Sequence, residues 1–205
     1  MNASLKPTLN QLENLFQFFN KEYFLNQLES PTITISPDIT SGAYGWCTNW
    51  KAWKHSSEDE GHYEINICAE YLTRPFEEVA GTMLHEMVHL DNLYKEIKDT
   101  SRSGTYHNNK FKETAEKHGL IVEKTEKYGF AITKLTDEAK DKLKNFNHKS
   151  FDMFRDSAAK KSNKTSKSKS SSIKYVCPNC GLIIRATKEV RVECADCGVL
   201  FEKAE

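Results

Sequence analysis

The stretch Thr73-Arg74-Pro75-Phe76-Glu77-Glu78-Val79-Ala80-Gly81-Thr82-Met83-Leu84-His85-Glu86-Met87-Val88-His89 decides how this chain is read. Thr73, Pro75 and the acidic pair Glu77 and Glu78 are start signals for a helix. Val79, Met83, Leu84, Met87 and Val88 then recur at helical spacing. Inside this helix, His85-Glu86-Met87-Val88-His89 has the form H-E-x-x-H. A spacing of four sets both imidazoles on one helix face, one turn apart, where they can grip one zinc ion. Glu86 projects about a quarter-turn away, close enough to take a proton from a zinc-activated water without being forced to ligate.

A catalytic zinc needs a third protein ligand and an open fourth position. The metzincin continuation requires a glycine and then another histidine at the places held here by Asn92 and Lys95, so that class is excluded. His107 lies eighteen residues beyond His89, at the start of the next predicted helix. A helix-loop-helix return of that length can bring it back to the metal. Glu113, Glu116 and His118 are the rival third ligands, and His118 also suits a helix C-terminus beside the dipole.

Outward from the motif, Leu9, Leu12, Leu15, Phe16, Phe19 and Tyr23 form the apolar stripe of an opening helix. Residues 31–37, bounded by prolines, read as a short strand. Residues 43–54 and 62–69 read as two strands of a hairpin around a polar turn. A helix is expected over 108–118, stopped by Gly119, and another from Thr136 with Asp137 and Glu138 in its first turn. Helix, strands, then helices is an α+β order. Trp46 and Trp50 are expected to pack on one strand face, although the three tryptophans lie among Lys51, Lys54 and His55, a pattern that can also stack bases. Cys47 and Cys68 are expected as buried free thiols.

Composition bounds the partners. The 205 residues suffice for one ordinary domain, residues 1–155, and something small. Hydrophobic residues at 38% and aromatics at 11% are enough for a core. No apolar run approaches a membrane span, and the N-terminus lacks a signal-peptide layout. The expectation is a cytoplasmic protein without a membrane partner, whose six cysteines are thiols or metal ligands. Lys+Arg and Asp+Glu are both 29, which excludes a uniformly basic coat for nucleic acid. The balance is a sum, however. Residues 1–155 carry 19 basic and 23 acidic side chains, and residues 156–172 carry five and one. That second segment, rich in Lys and Ser without a large apolar residue, reads as a flexible linker able to track a phosphate backbone.

Residues 173–205 hold Cys177-Pro-Asn-Cys180 and Cys194-Ala-Asp-Cys197, each pair followed by glycine. Two such knuckles point four thiolates at one ion and read as a structural zinc ribbon, with two disulfides as the rival. So small a module cannot fold without its metal. Arg185, Lys188 and Arg191 cluster in its central hairpin, where they can contact phosphate or simply be solvated. Two zinc ions per chain are expected, one catalytic and one structural.

The H-E-x-x-H motif, a polar loop, then His-x-x-x-Phe (His107 to Phe111) resembles the SprT-like zinc metalloproteases, the Spartan-related family. The trailing four-cysteine module fits the same resemblance. It implies an α+β minimal zincin fold over roughly residues 8–135, with zinc on His85, His89 and His107 and Glu86 as catalytic base. Asn108 stands where the family often has glycine. The resemblance also implies hydrolysis of protein substrates crosslinked to DNA, in a DNA-damage or stress response. An idle zinc protein that binds nucleic acid through linker and ribbon is the alternative reading.

Overall fold

The computed structural model describes residues 4–38, 42–57, 60–149, 151–156 and 172–204. They form two compact units, one up to Asp156 and one after it. The linker expected over 156–172 lies outside the described residues except for its two ends. Among the described residues no helix is long and apolar enough to cross a membrane.

Helix α1 (Lys6–Phe24) opens the first unit, with Pro7 in its first turn. Leu12, Leu15, Phe16 and Phe19 are fully buried on one face. At its end Leu25 turns left-handed, and the buried Asn20 side chain pins the return loop by bonding Leu28 in both directions.

Strands β1 (Thr32–Ser36), β2 (Gly45–Cys47) and β5 (Glu64–Cys68) form a sheet ordered β1-β5-β2. β1 runs parallel to β5 and β2 antiparallel to it. The expected hairpin exists but is broken, because the chain bends at Asn49 and Trp50 before the short pair β3 (Trp53–Lys54) and β4 (Gly61–His62). Trp50 is consequently 62% exposed rather than packed on a strand face.

Helix α2 (Phe76–Tyr94) is the centre of the unit. It is buried almost all round, packing on α1, on β2 and β5, and on the elements that follow. A helix enclosed in this way is apolar on several faces, so any polar side chain it buries has to be held by partners. The buried polar residues Glu86, Asp91 and Asn92 all lie on it.

After α2 the chain builds a second sheet ordered β6-β7-β9-β8. Its members are β6 (Thr100–Ser101), β7 (Tyr106–His107), β8 (Leu120–Thr125) and β9 (Gly129–Leu135). Helix α3 (Asn109–Lys117) lies between β7 and β8, and α4 (Asp137–Leu143) follows β9. Asn108 caps α3 by accepting from the Lys110 and Phe111 amides, and Thr136 caps α4 through Ala139. His118, at the end of α3, stacks on Phe24 and bonds the Thr114 carbonyl.

The second unit is all β. β10 (Ile173–Val176), β11 (Ile183–Ala186) and β14 (Glu202–Lys203) form a sheet ordered β11-β10-β14. β12 (Glu193–Cys194) pairs with β13 (Val199–Leu200). Gly181 and Gly198 leave the two knuckles with φ of +73° and +65°, the left-handed turn that glycine allows. The α+β class holds, with a small four-cysteine module at its end.

Candidate metal centre

His85 and His89 stand one turn apart on α2, and β7 carries His107 to meet them. Nε2 of His107 lies 3.2 Å from Nε2 of His85 and 3.0 Å from Nε2 of His89. Each ring is fixed from behind through Nδ1. His89 Nδ1 is 2.7 Å from the Asp99 carboxylate, His107 Nδ1 is 3.3 Å from the Tyr128 carbonyl, and His85 Nδ1 is 2.9 Å from Thr133 Oγ1. A carbonyl and a carboxylate only accept, so they place the proton of His89 and His107 on Nδ1 and leave Nε2 as a bare lone pair. Phe111, fully buried, packs against all three rings.

Electrostatics supports the neutral, ligating form of His85 and His107. Burial, with His89 and His107 nearby, holds His85 well below its ordinary pKa. Burial and His89 lower His107 to about 4. Burial alone would lower His89 too, but the Asp99 hydrogen bond and charge outweigh it and raise the pKa. Asp99 is held down in turn, its burial outweighed by His89 and by a bond from the buried Asn92 amide.

The Nε2 lone pairs of His89 and His107, facing one another at 3.0 Å, repel unless a cation lies between them. Two nitrogens bound at about 2.05 Å to a tetrahedral zinc stand about 3.3 Å apart, so the donor set and its spacing fit that ion. Glu113 and Glu116, the carboxylate rivals for the third position, are exposed on α3 and fall outside this cluster. Three histidines are the only group of this kind in the first unit, among the described residues.

Glu86 is buried and shares with the three histidines a cleft of about 1770 Å³. Strand β2, an edge strand, forms one wall. Tyr44 and Thr48 bond β5 through their backbones, so alternation turns the backbone groups of Gly45 and Cys47 toward the open edge. There the Cys47 N–H donates to Glu86. Burial raises the Glu86 pKa to about 7, against the lowering effects of His89 and that N–H. Glycine at residue 45 lets β2 run close to β5 and α2 at this point. A Cβ there would stand 2.6 Å from the Asn66 carbonyl oxygen and 3.4 Å from Glu86 Oε1. Gly129, paired in register with His107, is a second such place, with φ of +67° and a Cβ position that would overlap the His107 carbonyl oxygen.

A family model described as SprT-like matches residues 12–131. This chain belongs to the SprT-like family. No curated protein matches it. The matched span runs from α1 to the middle of β9 and contains all three histidines, Glu86, Asp99 and Tyr128. It stops short of Thr133, the partner of His85, and of the four-cysteine unit. The family is metalloprotease-related, and mixed helices and small sheets are what the chain shows.

The second candidate centre is Cys177, Cys180, Cys194 and Cys197, whose sulfurs all lie within 4.8 Å of one another. Cys180 Sγ and Cys194 Sγ are 3.8 Å apart, close to the separation two thiolates take about 2.3 Å from a tetrahedral zinc. No S–S bond joins any of the four, and their mutual spacing suits one shared ion rather than two separate disulfides. Backbone N–H groups of Cys180 and Asn179 aimed at Cys177 bring its pKa to about 7, while hydrogen bonds among the sulfurs push Cys180 and Cys197 up. Cys177 is thus the thiol of the four most ready to give the thiolate that a metal needs.

Sequence reasoning missed Asp99, Thr133 and the Tyr128 carbonyl. An acidic residue in the polar loop between His89 and His107 was the available signal for Asp99. Tyr94 and Tyr106 do not line the cleft, and Tyr94 Oη instead donates to Glu29. Cys68 is fully buried and Cys47 lies in the cleft wall, its thiol held up by burial and by Glu86.

Proposed function

We propose that this chain is a zinc-dependent endopeptidase with its centre at His85, His89 and His107 and with Glu86 as general base. The observation carrying this reading is the convergence of three Nε2 atoms beside a buried carboxylate in one cleft. Zinc, when bound, supplies a Lewis acid that makes water nucleophilic near neutral pH and polarises a carbonyl. Glu86, with a pKa of about 7, takes the water proton on its carboxylate and passes it to the leaving amine. The open edge of β2 accepts an extended peptide as an added strand, aligning its carbonyl with the cleft. A second zinc on Cys177, Cys180, Cys194 and Cys197 folds the ribbon. Linker and ribbon bring the enzyme to DNA, so that DNA-bound or DNA-crosslinked proteins in the cell are its substrates.

The test is Glu86→Gln in the full chain. Zinc content should stay at two per chain. Cleavage of a DNA-crosslinked protein, with and without single-stranded DNA, should fall by about 10²–10⁴-fold. Full cleavage by that variant overturns the role of Glu86. A wild-type protein inert under every DNA condition favours an idle binding module instead.

A further inference from the structure

Charge is spread unevenly over the first unit. Residues 98–134 carry eight basic and five acidic side chains, whereas residues 1–97 and 135–155 carry eleven and eighteen. Pairing differs as well. Among the described residues only Lys112 and Lys134 of those eight cations have a carboxylate partner, while every lysine of α4 is paired.

Three of the six unpaired cations lie against aromatic faces. The Arg102 guanidinium sits 4.5 Å from the Tyr106 ring centre, Lys127 is 4.7 Å from that of Tyr128, and Lys124 is 5.3 Å from that of Phe130. The three aromatic residues are neighbours along the backbone. His107, next to Tyr106, pairs in register with Gly129, which stands between Tyr128 and Phe130. Tyr128 is 45% exposed, and it lines the cleft together with Arg102 and His107.

We propose that this rim, built on β7 and β9, is a binding surface for single-stranded nucleic acid on the first unit itself, separate from linker and ribbon. Phosphates meet the unpaired cations while bases stack on the exposed Tyr128 ring, with Tyr106 beside it, a combination that needs no particular sequence. An acidic peptide satisfies the cations but leaves the rings without use. The surface holds whether or not the cleft hydrolyses peptides. Only its consequence, that a protein carried on the strand arrives at the cleft mouth, rests on the peptidase reading.

The experiment measures binding of a labelled oligothymidylate to the full zinc-loaded chain across a salt series. Reversing three cations (Arg102→Glu, Lys124→Glu and Lys127→Glu together) should lower the slope of log affinity against log salt by about 2, at about 0.7 per lost contact. A control with the same charge change, Lys6→Glu, Lys21→Glu and Lys149→Glu together, should keep the wild-type slope. Tyr128→Ala should weaken binding about five- to hundredfold with the slope unchanged. Zinc content reports folding, and if it falls in the triple variant, the same three positions changed to Gln replace it. Binding by the rim variant equal to that of wild type or of the control overturns the proposal. So does displacement of the strand by polyglutamate as readily as by unlabelled oligothymidylate, which marks an acidic-peptide surface.

Discussion

Asp99 is the side chain on which the metal centre depends without contributing a ligand to it. Its Oδ2 takes the proton of His89 Nδ1 at 2.7 Å and the amide of Asn92 at 3.0 Å, and the residue is only 8% exposed. Partners of this kind orient a ligating imidazole and raise its basicity, and losing one costs about 10–100-fold in metal affinity, or 1.4–2.7 kcal/mol. The structure ranks the substitutions. Asp99→Asn keeps an acceptor beside His89 and loses only the charge, so its zinc dissociation constant should rise about tenfold. Asp99→Ala leaves both the His89 N–H and the Asn92 amide without an acceptor in a buried place, so its loss should approach a hundredfold. Thr133→Val removes a neutral partner of His85, worth about 1 kcal/mol, or about fivefold. The assay is competition with a chromophoric chelator. Cys177→Ser and Cys180→Ser in a parallel sample identify which of the two release steps belongs to the ribbon. Equal affinities, within about twofold, for wild type, Asp99→Asn and Asp99→Ala refute the reasoning. So does a shift of the ribbon step.

Gly45→Ala places a Cβ 2.6 Å from a backbone oxygen and 3.1 Å from Thr82 Cγ2, neither of which can move freely. Overpacking of this kind costs about 2–3 kcal/mol, which should lower the melting temperature of the first unit by roughly 4–12 °C by calorimetry. Changing Cys177 and Cys180 to Ser should reduce zinc content from two to one by metal analysis. It should also collapse the amide dispersion of residues 173–204 in a heteronuclear spectrum, because so small a unit needs its metal to fold. The melting temperature of the first unit should not change.

What the sequence disclosed was what local spacing can encode. The H-E-x-x-H pair is a statement about one helix, and α2 carries it as the spacing requires. The two cysteine knuckles are equally local, and each needs only a four-residue turn. His107 was legible only as one candidate among several, because its position depends on the register of β7 against β9. The β8–β9 hairpin itself escaped notice. Leu120-Ile121-Val122 is a run rather than an alternation, and the segment follows a helix stop that drew attention elsewhere. Its absence from the reading hid Thr133 and the Tyr128 carbonyl, since both act at long range in sequence. Trp50 misled for the opposite reason. Strand-like composition extends to Trp50, but backbone pairing with β5 ends at Thr48 and the ring turns outward.

The three anchors behind the histidines come from three places: Asp99 just before β6, the Tyr128 carbonyl in the β8–β9 turn, and Thr133 within β9. No single segment can therefore assemble the centre. Zinc affinity becomes a gauge of whether the β8–β9 ladder is closed against α2, and a substitution in that hairpin far from any ligand should register as a change in dissociation constant. The coupling also runs in reverse. Free zinc at a hundred times its dissociation constant stabilises the closed arrangement by about 2.7 kcal/mol, so metal supply sets how much of the chain population holds an assembled cleft.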